Sequence, residues 1–203
     1  MSAINNTFSD PILNELHRKV IAEFGELPPI IPAQPQNYFK QLCASIISQQ
    51  LSTKVADVIE GRVTEALSSN WEPSYVLAFD ATQLRAAGLS NAKVSYIKNI
   101  AEAWVSQVVT SEKIASESDE GVIEQLVTIK GVGRWTAEMF LIFTLGRPDV
   151  FSAGDYGLRK AIANSYNFNL KEKPQVFTAL AENWKPQRSL ASRVLWKSLE
   201  LSK

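Results

Sequence analysis

Apolar residues recur in this chain every three or four positions and nowhere alternate convincingly at the period of two of a half-buried strand, so the core has to be built from helices. Tyr38, Leu42 and Ile46 with Phe39, Cys43 and Ile47 make one stripe. Val55, Val58, Ile59, Val63 and Ala66 make a second, behind Ser52 as its N-cap. Val94, Ile97, Ile100, Ala101, Trp104, Val105 and Val108 make a third, starting at Ser90 or Asn91. The run MFLIFTL from Met139 is apolar nearly all round, the pattern of a central buried helix. The expected fold class is all-α.

With 203 residues and 45% apolar content, the chain is long enough for one compact unit with a sizeable core. Pro28, Pro29, Pro32 and Pro35 mark an extended stretch between an N-terminal helix and the first core helix. Cys43, the single cysteine, excludes a disulfide framework and a four-cysteine iron–sulfur cluster, and His17, the single histidine, leaves no His/Cys zinc site. The start, MSAINNTFSD, has no basic segment followed by an apolar run, and no later stretch is long enough to span a membrane. A cytoplasmic, intracellular protein is expected, with no membrane partner. The formal net charge is zero, which argues against a protein held on nucleic acid by bulk electrostatics. Charge is unevenly placed, however: Lys185, Arg188, Arg193, Lys197 and Lys203 face a single acid, Glu200, while residues 112–124 are mostly acidic. Such a basic group reads equally as a solvated helix face.

Two glycines flank a small apolar residue at Gly131-Val132-Gly133, between Leu126 and Ile129 on one side and Thr136, Ala137 and Phe140 on the other. The spacing predicts two short helices joined by a hairpin. Without Cβ atoms at both glycines another backbone can approach closely, and the free amides opening the second helix attract an anion such as phosphate. Arg134 adds charge beside that point. A glycine-punctuated helical corner is the plainer alternative.

The chain resembles the helix-hairpin-helix superfamily of DNA base-excision glycosylases, and within it the 3-methyladenine DNA glycosylase II (alkylpurine) type. The resemblance runs through SIISQQLSTKVA (45–56), AAGLSNAKVSYIKNIA (86–101), IKGVGRWTAEMF (129–140), VFSAGDYGLRK (150–160) and WKPQRSLASRVLW (184–196). It implies two helical subdomains flanking a DNA-binding cleft, one from residues about 36–125 and the other from 1–35 plus 126–203, the latter carrying the hairpin 126–140. The partner implied is double-stranded DNA containing damaged bases, bound by a monomer.

The chemistry implied is cleavage of an N-glycosidic bond, whose transition state places positive charge on the sugar. A carboxylate stabilises that charge, or positions and deprotonates the attacking water. Asp155, twenty positions after Trp135, matches the family's catalytic Asp. It also reads as the N-cap of a helix starting at Tyr156, and the two roles are compatible. Where lyase-active relatives carry a nucleophilic Lys, this chain has Trp135, so the resemblance implies a monofunctional enzyme with water as nucleophile. Lys130 and Lys160 are near in sequence but do not match the nucleophile position.

Alkylated purines are cationic, and aromatic faces attract a cation by about 0.5–2 kcal/mol. Trp135 and Trp196 match aromatic base-pocket positions, although both also read as packing residues. Met139 stands where some relatives have Tyr, and Gly154 where some have a second Asp. Extruding a base requires a side chain to fill the gap. By resemblance this comes from Ser48-Gln49-Gln50-Leu51-Ser52, with Gln50 and Leu51 as intercalating residues and Leu51 the better wedge. Leu89 resembles a second probe, or alternatively a C-capping hydrophobe after Gly88. Phosphate contacts are expected at Gly131, Gly133, Arg134 and the Thr136 hydroxyl. No cofactor is required. The carbonyls of Val127, Ile129 and Val132 are implied to hold a structural Na⁺ or K⁺. The expected function is removal of alkylated purines in base excision repair. The alternatives are a glycosylase for deaminated or etheno purines, and a non-catalytic helix-hairpin-helix DNA-binding protein.

Overall fold

The computed structural model of the protein describes residues 8–201. Most of the N-terminal stretch MSAINNTFSD, and Lys203 of the basic group, lie outside them. Among the described residues there are twelve α-helices and no strand. No helix among them is long and apolar enough to cross a membrane.

The chain divides into two compact units, Ile31–Gly146 and Met1–Ile30 with Arg147–Lys203. The hairpin 126–140 therefore lies in the same unit as residues 36–125, whereas the expectation grouped it with the chain ends. Burial explains the difference. The helix that follows Gly133 packs on α2 (Tyr38–Ser48), with the Tyr38 and Phe140 rings edge to face at 5.8 Å.

In the hairpin unit, α2 buries the predicted stripe of Tyr38, Phe39, Leu42, Cys43, Ile46 and Ile47. Each such aliphatic or aromatic side chain contributes about 1.5–3 kcal/mol when withdrawn from water. Burial also pushes the Cys43 thiol well above its ordinary pKa, leaving it inert. Helix α3 (Thr53–Ala66) turns a different face inward than expected: Ala56 and Val63 are buried, while Val55 and Val58 are exposed. The contacting face follows 56, 59, 63, 67, so Val55 and Val58 project beside it. Ser52 stands at the N-cap position, but its side chain makes no capping bond.

Short helices α4 (Pro73–Ala78) and α5 (Ala81–Ala86) lead to α6 (Asn91–Val105), whose N-cap Ser90 accepts the Lys93 amide at 3.2 Å. Val105 and Val108, expected in its stripe, are exposed. Helices α7 (Ser111–Ser116) and α8 (Asp119–Val127) precede the glycine turn, and α9 (Arg134–Met139) follows it. Helix α9 runs on into a π-helical turn, Phe140–Thr144. Its wider winding buries Phe140, Leu141, Ile142 and Thr144 but leaves Phe143 exposed, so this segment is not buried all round as its composition implies.

In the terminal unit, α1 (Pro11–Phe24) is capped by Asp10, whose Oδ1 accepts the amides of Ile12 and Leu13 at 2.9 and 3.0 Å. The unit adds α10 (Tyr156–Tyr166), α11 (Pro174–Ala181) and α12 (Arg188–Ser198). Leu13, Val20, Leu158, Ile162, Phe177, Trp184, Val194 and Leu195 form its core. Among the described residues of the basic group read near the C-terminus, Lys185 pairs with Glu182 at 2.7 Å and Lys197 with Glu200 at 2.7 Å, while Arg193 donates to the Pro28 carbonyl. Arg188 grips Asp149 with Nε and Nη2 at 2.8 and 3.0 Å. Burial pushes the Asp149 carboxyl up, but the hydrogen bonds and charge of Arg188 outweigh it and hold the carboxyl below its ordinary value.

Candidate functional site

Asp155 closes a turn, its amide donating to the Ser152 carbonyl at 3.0 Å, and opens α10. Its φ and ψ of −70° and 122° are those of an N-cap, and its Oδ1 accepts the Leu158 amide at 2.8 Å. The same oxygen accepts the indole N–H of Trp196 at 2.9 Å. Two residues 41 positions apart are thereby joined, and the half-buried carboxylate is held from two directions. The capping and the candidate catalytic roles thus fall on one side chain.

Gly157, which sequence reasoning passed over, explains how the indole comes so close. A Cβ there would lie 3.1 Å from Asp155 Oδ1 and 3.1 Å from Trp196 Cδ1. Glycine is a poor helix former, and its presence just inside α10 is the available sequence signal that something packs against it. Gly154, in contrast, has open space where a Cβ would be.

In the hairpin unit the two glycines of the turn do different jobs. Gly131 has φ of +105°, and a Cβ there would stand 2.2 Å from Cδ1 of Tyr96. It is a glycine because α6 packs against its backbone. Gly133 has an ordinary φ of −89°, caps α9, and has nothing within 4 Å of where its Cβ would be. Nothing inside the unit requires a glycine at that point, and the space is open to a ligand's backbone.

Arg134 does not display its charge beside this turn. Its Nη1 and Nη2 bond both oxygens of Glu120 at 2.8 and 2.9 Å, and its Nε bonds Glu138 at 3.1 Å. The bond from Arg134 lowers the Glu120 pKa, and the same bond raises that of Arg134. Thr136 is 3% exposed, and its hydroxyl accepts Nε2 of Gln49 at 3.1 Å. It braces the turn after α2 and does not face outward to a phosphate, because the inward face of α9 packs on α2. Trp135 points outward at 44% exposure, and Met139, one turn on, is half-buried.

The loop after α2 presents Gln50, which is exposed and held at φ +59°, in the left-handed region that costs a non-glycine residue on the order of 1 kcal/mol or more. Leu51, favoured above as the wedge, is half-buried. Leu89 is 5% exposed and is not a surface probe. Its amide bonds the Leu84 carbonyl at 3.4 Å, that of Gly88 bonds Arg85 at 2.9 Å, and Gly88 has φ of +111°, so Leu89 is the inward-packed residue that closes α5. At the turn itself, the Ile129 carbonyl accepts the Val132 amide at 2.9 Å. Among the described residues no group of three His, Cys, Asp or Glu side chains could hold a metal ion.

Sequence reasoning also missed Lys93 and Asn99 of α6. The Lys93 ammonium donates to the carbonyls of Ile47 and Gln49 at 2.7 and 2.9 Å, and the Asn99 amide donates to the Lys130 carbonyl at 2.9 Å. Both fall inside a segment that reads as ordinary amphipathic helix, so only the fold reveals their partners.

Residues 43–186 match the family described as HhH-GPD superfamily base excision DNA repair protein. The chain is 34% identical to DNA-3-methyladenine glycosylase 1 of Schizosaccharomyces pombe, over 94% of this chain and 85% of that protein. It is 34% identical to the DNA-3-methyladenine glycosylase of Saccharomyces cerevisiae over 72% of this chain, and spans about half, 51%, of that protein's length. Among solved structures, the S. pombe 3-methyladenine DNA glycosylase in complex with abasic DNA superposes with a TM-score of 0.79 at 32% identity, covering 94% of each chain. A DNA-3-methyladenine glycosidase from Bacillus halodurans superposes with a TM-score of 0.76 at 34% identity, covering 93% of this chain and 84% of that one. The hairpin with its differentiated glycines, the capped Asp155 and relatives of this extent lead to one assignment: the chain belongs to the HhH-GPD superfamily of base excision DNA repair proteins.

Proposed function

We propose that this protein is a monofunctional DNA glycosylase that extrudes alkylated purines of the 3-methyladenine and 7-methylguanine type from duplex DNA and hydrolyses their N-glycosidic bond, leaving an abasic site. The observation that carries this reading is the carboxylate of Asp155, fixed by the Leu158 amide and the Trp196 indole. Relatives that are DNA-3-methyladenine glycosylases support 3-methyladenine as a substrate, and the S. pombe complex with abasic DNA supports DNA as the partner.

As the purine departs, the sugar becomes an oxocarbenium ion, and Asp155 opposes its charge and orients the attacking water. The leaving base already carries a positive charge and so departs without strong acid catalysis. In the unit that holds Asp155 the aromatic face for such a base is Trp196. Gln50 fills the gap left by extrusion, by virtue of its exposure and left-handed backbone. The open amide turn at Gly133 receives a phosphate. The oxygen-only set of Val127, Ile129 and Val132 carbonyls suits a monovalent cation, since the Ile129 oxygen keeps a second lone pair beyond its bond to Val132. The cation would act there by drawing phosphate to the turn.

Two results are expected in solution. Oligonucleotides carrying one methylated purine should break only after hot alkali, and borohydride should trap no protein–DNA adduct, because position 135 offers an indole and no amine. Strand cleavage without alkali, or a trapped adduct, would contradict the assignment. Gly157→Ala should leave the melting temperature close to wild type, since helix propensity gains what the contact loses, yet slow base release by displacing the Trp196 indole from Asp155. Unaltered release would show that the Trp196 bond to Asp155 plays no part in the reaction.

A further inference from the structure

Helix α6 touches both elements to which DNA contacts are assigned. Lys93, Tyr96 and Asn99 follow one another at intervals of three along it, so their side chains are neighbours on one side. Tyr96 lies against Gly131, Asn99 bonds the Lys130 carbonyl, and Lys93 bonds the carbonyls of Ile47 and Gln49 at the end of α2. The last contact is the most demanding. A half-buried ammonium satisfies carbonyls of the last turn, where helix-end oxygens lack intrahelical partners. The next residue, Gln50, is held at φ +59°. The Gln49 side chain meanwhile bonds Thr136 on α9, tying the same turn to the hairpin. Burial lowers the Lys93 pKa, so the amine accepts a desolvation cost for this position.

We propose that Lys93 is a positioning residue: by clamping the Ile47 and Gln49 carbonyls it keeps Gln50 in the left-handed conformation that fills the duplex gap when a damaged base is extruded. The proposal rests on the glycosylase reading above. Lys93 touches neither base nor sugar in this scheme. It acts through the shape of the 49–51 turn, and the hairpin transmits its hold on phosphate to that turn through Thr136 and Gln49. A residue that matters for extrusion matters less when extrusion is already easy, as it is for a lesion in a mismatched pair.

Lys93→Met keeps the length of the side chain and removes its donors. Single-turnover base release from a methylated purine opposite its normal partner is expected to fall about 10- to 100-fold, the scale of loss for a misplacement of about an ångström. The same variant should lose a clearly smaller factor when the lesion lies opposite a mismatched base. Combining Lys93→Met with Gln50→Ala should add little to either single loss, because the two act as one unit. If Lys93→Met proves unfolded by circular dichroism, Lys93→Arg, which keeps donors in a different geometry, is read for the same substrate dependence. Wild-type rates in the folded variant, or equal losses on both substrates, would overturn the proposal. A wild-type protein that releases no base from either duplex would overturn the glycosylase reading and this role together, and is recognised by the control alone.

Discussion

Asp155→Asn should slow base release by about 10²- to 10⁴-fold while leaving the fold intact. The amide oxygen of Asn still accepts from the Leu158 amide and the Trp196 indole, and Asn ranks with Asp as an N-cap. What disappears is the negative charge that opposes the oxocarbenium ion. Asp155→Ala separates the two roles, since it removes the cap as well, costs about 0.5–2 kcal/mol of stability, and leaves the indole N–H without this acceptor. Single-turnover rates with melting temperatures distinguish the possibilities. A purely structural Asp155 would give a fully active Asn variant, with defects confined to Ala.

The hairpin glycines should respond in opposite ways to the same added methyl. At Gly131 the methyl would stand 2.2 Å from the Tyr96 ring and 2.8 Å from its Cβ, so ring rotation gives no relief, and the backbone has φ of +105°. Strain and overpacking each cost about 1–3 kcal/mol, so Gly131→Ala should lower the melting temperature by roughly 5–15 °C. Gly133→Ala meets no atom within 4 Å and needs no unusual φ, so its melting temperature should match wild type. Its duplex affinity should nevertheless fall about tenfold, equivalent to about 1.4 kcal/mol, because the methyl occupies the path of the approaching phosphate. Thermal denaturation and fluorescence anisotropy read the two effects separately. Unchanged DNA binding by Gly133→Ala would remove the phosphate role from this turn.

Periodicity exposed the helical class and the inward face of α2, where six apolar residues leave no choice of phase. It misjudged α3 and the end of α6, because Val55, Val58, Val105 and Val108 are apolar yet lie outside the contact face, and hydrophobicity alone cannot tell a rim from a core. It could not separate Gly131 from Gly133, since that difference depends on Tyr96 of a helix about 35 positions away. Arg134 and Thr136 looked like phosphate ligands for the same reason: their partners Glu120, Glu138 and Gln49 are brought to them only by packing. Asp155 was legible in its surroundings, with cap and candidate acid on one residue, whereas its bond to Trp196 spans 41 positions. The preference for Leu51 over Gln50 followed side-chain type, and the proposal of Gln50 in its place rests on its exposure and left-handed backbone, neither of which composition reveals.

The most direct measurement is chromatographic detection of free base from methylated duplex DNA incubated with the wild-type protein and, in parallel, with Asp155→Asn. Free 3-methyladenine or 7-methylguanine is expected from the wild type, with strands intact until treated with alkali, and release by the variant is expected to fall by about two orders of magnitude or more. Free base at the same rate from both proteins, or none from the wild type above DNA alone, would contradict this expectation.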